Sequence, residues 1–260
     1  MKSLTWLIET DVFSEDVEKE TCDVIRELFP DDKIITSNYA ITDLKLNPPQ
    51  EDVCIIRGSF GLVNTVTRWL IKGEIKRPFM FNFSPYNFTN FAPTFKHYLL
   101  SEDFRVCNMD EVPKNSDYFV RPNSGNKTFS GNVYTPDKLV EEMEYLKQHN
   151  NHPSDIEVVY SSVKNISEEY RCIVIGGHVI DSCYYNHKKE FNRLYDNKTE
   201  VHNFVANLGT YLDDYVIDIC LSDDELKVLE CNCILTSSYY DCDRYIIYPF
   251  LRDRALNSNE

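Results

Sequence analysis

The chain has 260 residues, of which 42% are hydrophobic and 13% aromatic, and it carries a net charge of −15. That length and apolar content suit one large packed domain or two modest ones and exclude a disordered chain. The acidic balance disfavours general binding to nucleic-acid backbones, which have the same sign, although a local basic site stays compatible with it.

No apolar run reaches the roughly 18 residues of a membrane span. The opening Met1-Lys2-Ser3-Leu4-Thr5-Trp6 soon meets Glu9 and Asp11, too short an apolar run for a signal peptide. A cytoplasmic location is therefore expected. The nine cysteines are odd in number and scattered, which fits free thiols in a reducing compartment. Cys231 and Cys233 with Cys242 offer a thiolate metal set, but structural sites of that kind usually use four ligands at tighter spacing, and buried thiols are the simpler reading.

Leu4–Glu9 is an apolar run suited to a buried strand, and Asp16–Leu28 carries a helical stripe that ends at Pro30. Lys33–Thr36 and Val53–Ile56 read as strands, Leu62–Ile71 as a helix stopped by Gly73, and Pro78–Phe83 as a further strand. This alternation predicts a small parallel sheet with helices packed on it. The aromatic stretch Tyr86, Phe88, Phe91, Phe95 and Tyr98 predicts a helix from about Thr89 and an interface-packing role. Phe104–Cys107 and Tyr118–Pro122 read as strands. A polar loop from Asn123 to Thr128 follows, then a strand over Phe129–Tyr134 and a helix opened by Pro136.

From Ile156 the pattern turns antiparallel. Ile156–Tyr160 is one strand, and Glu169–Ile175 pairs with His178–Tyr184 through the two-residue turn Gly176-Gly177. Val201–Leu212 predicts a helix. Val216–Leu221 and Leu226–Cys231 form a last hairpin, and a helix over about Asp243–Leu256 closes the chain. The class is α/β followed by α+β. Residues 1–100 form the first unit and 101–260 the second, with the transition lying in the region 85–115.

Chemistry concentrates on the last hairpin. Glu230 and Asn232 are two apart on one strand and share a face. A turn near Asp224 sets Asp218 opposite Glu230. Facing carboxylates repel, and their neighbours Val216, Ile217, Ile219, Val228 and Leu229 are apolar, which adds a desolvation cost. A divalent cation relieves both problems, and an Asp, Glu and Asn ligand set favours Mg2+ or Mn2+. The competing reading is a solvated hairpin face with incidental acids. Arg121 at the end of its strand, followed by a loop with Gly125 and Lys127, is compatible with phosphate binding or with an ordinary surface loop. Glu169 and Arg171 share a strand face, suited to a ribose and an anion or to surface ion pairing.

In this order the pieces resemble the ATP-grasp superfamily: a small α/β unit, Arg121-Pro122, the Gly125 loop, Glu169-Tyr170-Arg171, and Asp218 followed by Glu230-Cys231-Asn232 and Tyr239-Tyr240 before Asp243. Arginine at 121, where the superfamily usually has lysine, resembles the R2K clade, which is common in phages and bacteria. The resemblance implies an ATP-grasp fold behind a small N-terminal α/β domain, with ATP held between two α+β subdomains. Asp218, Glu230 and Asn232 would ligate Mg2+. Arg121 would touch the phosphates, and the Lys127 loop would close over them. Val159, Tyr160, Ser161 and Val163 would frame the adenine, and Glu169 would lie near the ribose. Arg171 would approach the phosphate or acyl phosphate, with Lys96 or Arg105 as a second phosphate-binding cation.

The activity implied is an ATP-dependent ligase joining a carboxylate to an amine or other nucleophile through an acyl phosphate, the carboxylate or the amine being carried by a small molecule, peptide or protein. A kinase on the same scaffold and a binding protein without catalysis are the alternatives, and a homodimer is the default assembly. The basic cluster of His187, Lys188, Lys189 and Arg193 is expected near the mouth of the site, although a solvated loop is the ordinary reading of such a run. Charge reversal at Lys188 and Lys189 is expected to raise the KM of an anionic substrate, and an unchanged KM contradicts that role.

Overall fold

Strand β1 (Thr5–Thr10) is the hub of the first part of the chain. It pairs in parallel with β2 (Lys33–Asn38) on one side and β3 (Val53–Arg57) on the other, and β4 (Arg77–Phe79) completes the order β2-β1-β3-β4. Helix α1 (Glu15–Leu28) leads from β1 to β2, and α2 (Phe60–Ile71) from β3 to β4. β1 and β3 are buried along almost their whole lengths, as parallel strands covered on both faces must be. The parallel sheet expected from the sequence is present. The computed structural model describes residues 4–10, 12, 15–38, 48–49, 53–79, 83–125, 128–185 and 198–257. Among these, no helix is long and apolar enough to cross a membrane.

The aromatic stretch makes a single-turn helix α3 (Phe88–Phe91) and then a series of turns, not the longer helix predicted from Thr89. Pro93 has no N–H to continue the helical ladder. Tyr86, Phe88, Phe91 and Phe95 are buried in the large core, whereas Tyr98 is exposed.

The second sheet is wholly antiparallel. It comprises β5 (Arg105–Asn108), β6 (Tyr118–Pro122), β7 (Asn132–Tyr134) and β8 (Glu157–Ser162), ordered β5-β8-β6-β7. Antiparallel pairing thus starts at Arg105, earlier than the sequence pattern indicates. The strand predicted over Phe129–Tyr134 shortens to Asn132–Tyr134, while Phe129 enters the core. Helix α4 (Pro136–Gln148) opens with Thr135 as its cap and covers this sheet with Leu139, Met143 and Leu146.

The third sheet, also antiparallel, holds β9 (Glu168–Ile175), β10 (His178–Tyr185), β11 (Tyr215–Ser222) and β12 (Glu225–Asn232) in the order β10-β9-β11-β12. Gly176 and Gly177 take φ values of +61° and +76°, as a tight hairpin demands. The free edge of β12 is met by the segment after α3: Leu100 N–H donates to Val228 O at 2.9 Å, and Val228 N–H donates to Tyr98 O at 2.6 Å. Helix α5 (Lys198–Asn207) ends at Asn207 and not at Leu212, because the chain turns at Gly209 with φ +81°. Helix α6 (Arg244–Asn257) ends the described chain and packs against α1 and β3 as well as β9 and β10.

The first and third sheets share one continuous hydrophobic core, while the second sheet and α4 have their own. Specific polar bonds tie the chain ends together. Arg252 of α6 forks onto Asp32 at 2.8 and 2.9 Å, and the Trp6 indole N–H donates to the same carboxylate at 3.1 Å. Arg57 donates to the carbonyls of Ile234, Leu235 and Ser237 and stacks on Tyr239. The side chain of Asp32 is fully buried. Asp32→Ala leaves a cation and an indole N–H without their acceptor, so it is expected to cost about 3–5 kcal/mol in urea unfolding. A loss within experimental error would contradict this role for the pair.

Candidate functional site

The site lies between the second and third sheets and is organised by strand register. Arg171 of β9 sits directly opposite Asp218 of β11, which in turn sits opposite Glu230 of β12. One positive and two negative side chains therefore form a row across three strands. Opposed side chains of this kind start about 5 Å apart at Cβ. Two bare carboxylates there would repel by about 3 kcal/mol at an effective dielectric of about 20.

The chain neutralises that repulsion itself. Arg171 grips Asp218 with Nε at 2.8 Å and Nη2 at 2.7 Å, and its Nη1 donates to the carbonyl of Ser238 at 2.8 Å. Arg121 reaches across from β6 to Glu230, with Nη1 3.1 Å from Oε2. The Asn232 amide bridges the two acids, its Nδ2 lying 3.3 Å from Asp218 Oδ2 and 2.8 Å from Glu230 Oε1. The sequence argument that facing carboxylates need a divalent cation is thus corrected: two guanidinium groups and an amide already compensate them.

Burial raises the Asp218 carboxyl to about 6, against the pull of Arg171 and with added repulsion from Glu230. Burial disfavours the charge of Arg171, but Asp218 more than restores it, and the guanidinium is held cationic. Tyr240 stacks on that guanidinium at 4.3 Å, and Tyr185 lies on it at 5.7 Å. Tyr240 does so from a left-handed backbone, φ +47°, a costly conformation for an aromatic residue.

A cavity of about 280 Å³ opens at the Glu230 end of this row, lined among others by Phe119, Arg121, Glu169, Tyr185, Leu229 and Glu230. A smaller apolar pocket of about 70 Å³ shares the walls Phe119, Ile166 and Leu229 and adds Phe88, Leu100, Ser161 and Lys164. Leu229 and Glu230 are consecutive, and a regular strand would aim them to opposite faces. The register steps from Asp218 opposite Glu230 to Ile219 opposite Val228, which leaves Leu229 as the extra residue of a bulge. That irregularity lets both side chains face the cleft.

Asp218, Glu230, Asn232, Arg121 and Arg171 come together, and of the predicted site residues Arg121, Glu169 and Glu230 line the cavity. Ser161 lines the smaller pocket, its Oγ 3.1 Å from that of Ser101. Val159 is buried within the large core, Tyr160 packs edge-on to Tyr118, and Val163 is exposed just beyond β8. None of these three is in the lining of the two cavities. Lys96 is exposed, and Arg105 bonds the carbonyls of Asp103 and Phe104. Lys127 and the cluster of His187, Lys188, Lys189 and Arg193 lie outside the described residues. Sequence reasoning did not single out Tyr185 or the Ser238 carbonyl, and it treated Phe119 only as part of the strand of Arg121 and Leu229 only as an apolar neighbour of the acids. Leu229 has no signal short of the bulge, and Tyr185 only its position as the last residue of an apolar strand.

The donor set suits a hard divalent cation, since carboxylate and amide oxygens are the preferred ligands of Mg2+ and Mn2+. Among the described residues no three His, Cys, Asp or Glu side chains gather as a metal group, so the third donor here is the Asn232 amide. Ligation by Asn232 would use its amide oxygen, with the amide turned from its present orientation.

Residues 99–248, more than half of the chain, match the ATP-grasp domain of the R2K clade, family 2. The chain belongs to this ATP-grasp family. A search of curated proteins gives no match. Among solved structures, the D-alanine–D-alanine ligase from Bacillus anthracis complexed with ATP is 17% identical, with a TM-score of 0.60 over 90% of this chain and 86% of that one. The ATP-grasp ligase PsnB complexed with a minimal precursor is 12% identical, with a TM-score of 0.56 over the whole of both chains. A RimK domain ATP-grasp protein from Sphaerobacter thermophilus is 11% identical, with a TM-score of 0.52 over 97% and 96%. At these identities the likeness is one of fold, and it spans nearly the whole ATP-grasp chain.

Arg171→Met is expected to destabilise the protein by about 3–5 kcal/mol by leaving the Asp218 carboxylate buried and unpaired. Adding Asp218→Asn should recover part of that loss in a double-mutant cycle, whereas strictly additive losses would contradict the pairing.

Proposed function

We propose that this ATP-grasp protein is an ATP-dependent, Mg2+- or Mn2+-using ligase that joins a carboxylate to an amine through an acyl phosphate. The observation that carries the reading is an apolar pocket beside a cavity lined by Arg121, Glu169 and Glu230, with Glu230 linked in turn to the buried Asn232, Asp218 and Arg171. An apolar pocket with a few convergent polar groups is the usual form of a small-molecule site. The fold it shares with ligases, one of them complexed with ATP, supports the same reading.

In the proposed reaction a substrate carboxylate oxygen bonds to the γ-phosphorus of ATP. The bond from that phosphorus to the bridging oxygen breaks, and ADP departs. The amine nitrogen then bonds to the acyl carbon, phosphate leaves and the amine gives up a proton. A metal bound at Asp218, Glu230 and Asn232 would neutralise phosphate charge. The protein's own part is positioning and electrostatics, which is most of what phosphoryl transfer asks of an enzyme. Arg121 faces the cavity and offers a fork to phosphate oxygens. Arg171 fixes the Asp218 carboxylate by a two-point bond and is itself held by the Ser238 carbonyl. Phe119, Ile166 and Leu229 give the nucleobase an apolar slot. Glu169, two residues from Arg171 on the same face, suits the ribose hydroxyls.

Calorimetric titration with ATP is expected to show binding that requires Mg2+ and weakens at least about tenfold in Asp218→Asn/Glu230→Gln, about 1.4 kcal/mol or more. No binding to the wild type would overturn the reading. With carboxylate and amine substrates, including peptides, release of both ADP and free phosphate is expected. A stable phosphoester on the acceptor without free phosphate would assign a kinase instead.

A further inference from the structure

We propose that Arg121 is a built-in counter-cation, so that the acidic pair accepts a divalent metal together with a nucleotide polyphosphate and discriminates against the free ion. The inference rests on the reading of the cleft as a metal–nucleotide site and adds the form in which the metal is taken.

Each acid of the row already has its own arginine: Asp218 is paired with Arg171 and Glu230 with Arg121, while Glu169 lines the same cavity. The two arginines are held very differently. Arg171 is fixed within the third sheet by its two bonds to Asp218, by the Ser238 carbonyl, and by the rings of Tyr240 and Tyr185. Arg121 comes from the opposite wall of the cleft. It meets the more open of the two acids, Glu230, and lies 5.6 Å over the ring of Phe88. It also lines the cavity in which phosphates are proposed to sit.

A free divalent ion entering here would bring two positive charges beside two buried guanidinium groups, and ligation by Glu230 would take the anion away from Arg121. Removing one partner of a buried ion pair is costly because the other charge is left uncompensated. A polyphosphate changes both terms. It supplies Arg121 with new oxygens in the fork geometry that guanidinium prefers, and it carries the negative charge the metal needs. Metal and nucleotide then strengthen each other, by the same factor in either direction. A lysine would also supply the charge, so the effect belongs to the cation and not to the fork alone.

The test uses Mn2+ as the probe, followed by the loss of the free-ion electron paramagnetic resonance signal, with the full chain and no nucleotide. Wild type is expected to bind Mn2+ weakly, in the millimolar range. Arg121→Gln, which keeps a polar side chain but removes the charge, is expected to bind it at least about tenfold more tightly, near the low end of usual site-to-site coupling. Arg121→Lys should stay within about threefold of wild type on the same scale. Low-micromolar binding of Mn2+ by the wild type overturns the proposal whatever the variants do. So does a folded Arg121→Gln with no gain, the fold being checked by circular dichroism. Failure of ATP to bind in the presence of Mg2+ overturns the ligase reading, whereas these free-ion results decide the role of Arg121 by themselves.

Discussion

Asp218 and Glu230 are held face to face on neighbouring strands, and the middle of the molecule is arranged around that confrontation. Asp218 is fully buried among core residues, while Glu230 is half-buried and borders the cleft. The repulsion is met from both sides. Arg171 comes from the adjoining strand of the same sheet, Arg121 from the sheet across the cleft, and Asn232 supplies the amide between the acids. Buried ion pairs of this kind add little net stability over an apolar core, since desolvation offsets much of the attraction. Their presence therefore points to a requirement of the site.

The rest of the fold makes that arrangement possible. Residues 98–100 pair with the outer edge of β12 where its register slips, and the bulge at Leu229 brings an apolar side chain and a carboxylate to the same face. The loop after β12 returns over Arg171, with the Ser238 carbonyl as acceptor and Tyr240 as a stacking face. That loop is in turn anchored to the N-terminal sheet through Arg57. The first and third sheets consequently share a core, so the small α/β layer also supports the Tyr215–Asn232 hairpin from behind. The second sheet, with its separate core, contributes Phe119 and Arg121 to the other wall.

Much of this was legible in the residues. Two largely apolar segments, Val216–Leu221 and Leu226–Cys231, around a four-residue polar turn were enough to set Asp218 opposite Glu230, and Gly176-Gly177 marked its hairpin. These signals are local, and local patterning decides strand pairing within hairpins. What escaped is non-local or irregular. Arg171 and Asp218 are 47 positions apart, so their two-point bond needs the order of strands in the sheet. The bulge breaks the period of two on which facing arguments rest. Apolar spacing through Leu212 outweighed the stop signal of Gly209, and the aromatic run hid the break at Pro93. The metal inference from facing carboxylates used sound electrostatics but had no means of seeing the two arginines.

The most direct test is a pair of crystal structures of this chain, one without ligand and one with Mg2+ and a non-hydrolysable ATP analogue. The account predicts that Arg121 leaves Glu230 for a phosphate oxygen in the second, while the two bonds from Arg171 to Asp218 are the same in both. A bound nucleotide with the Arg121–Glu230 pair intact, or with Asp218 released from Arg171, would contradict it.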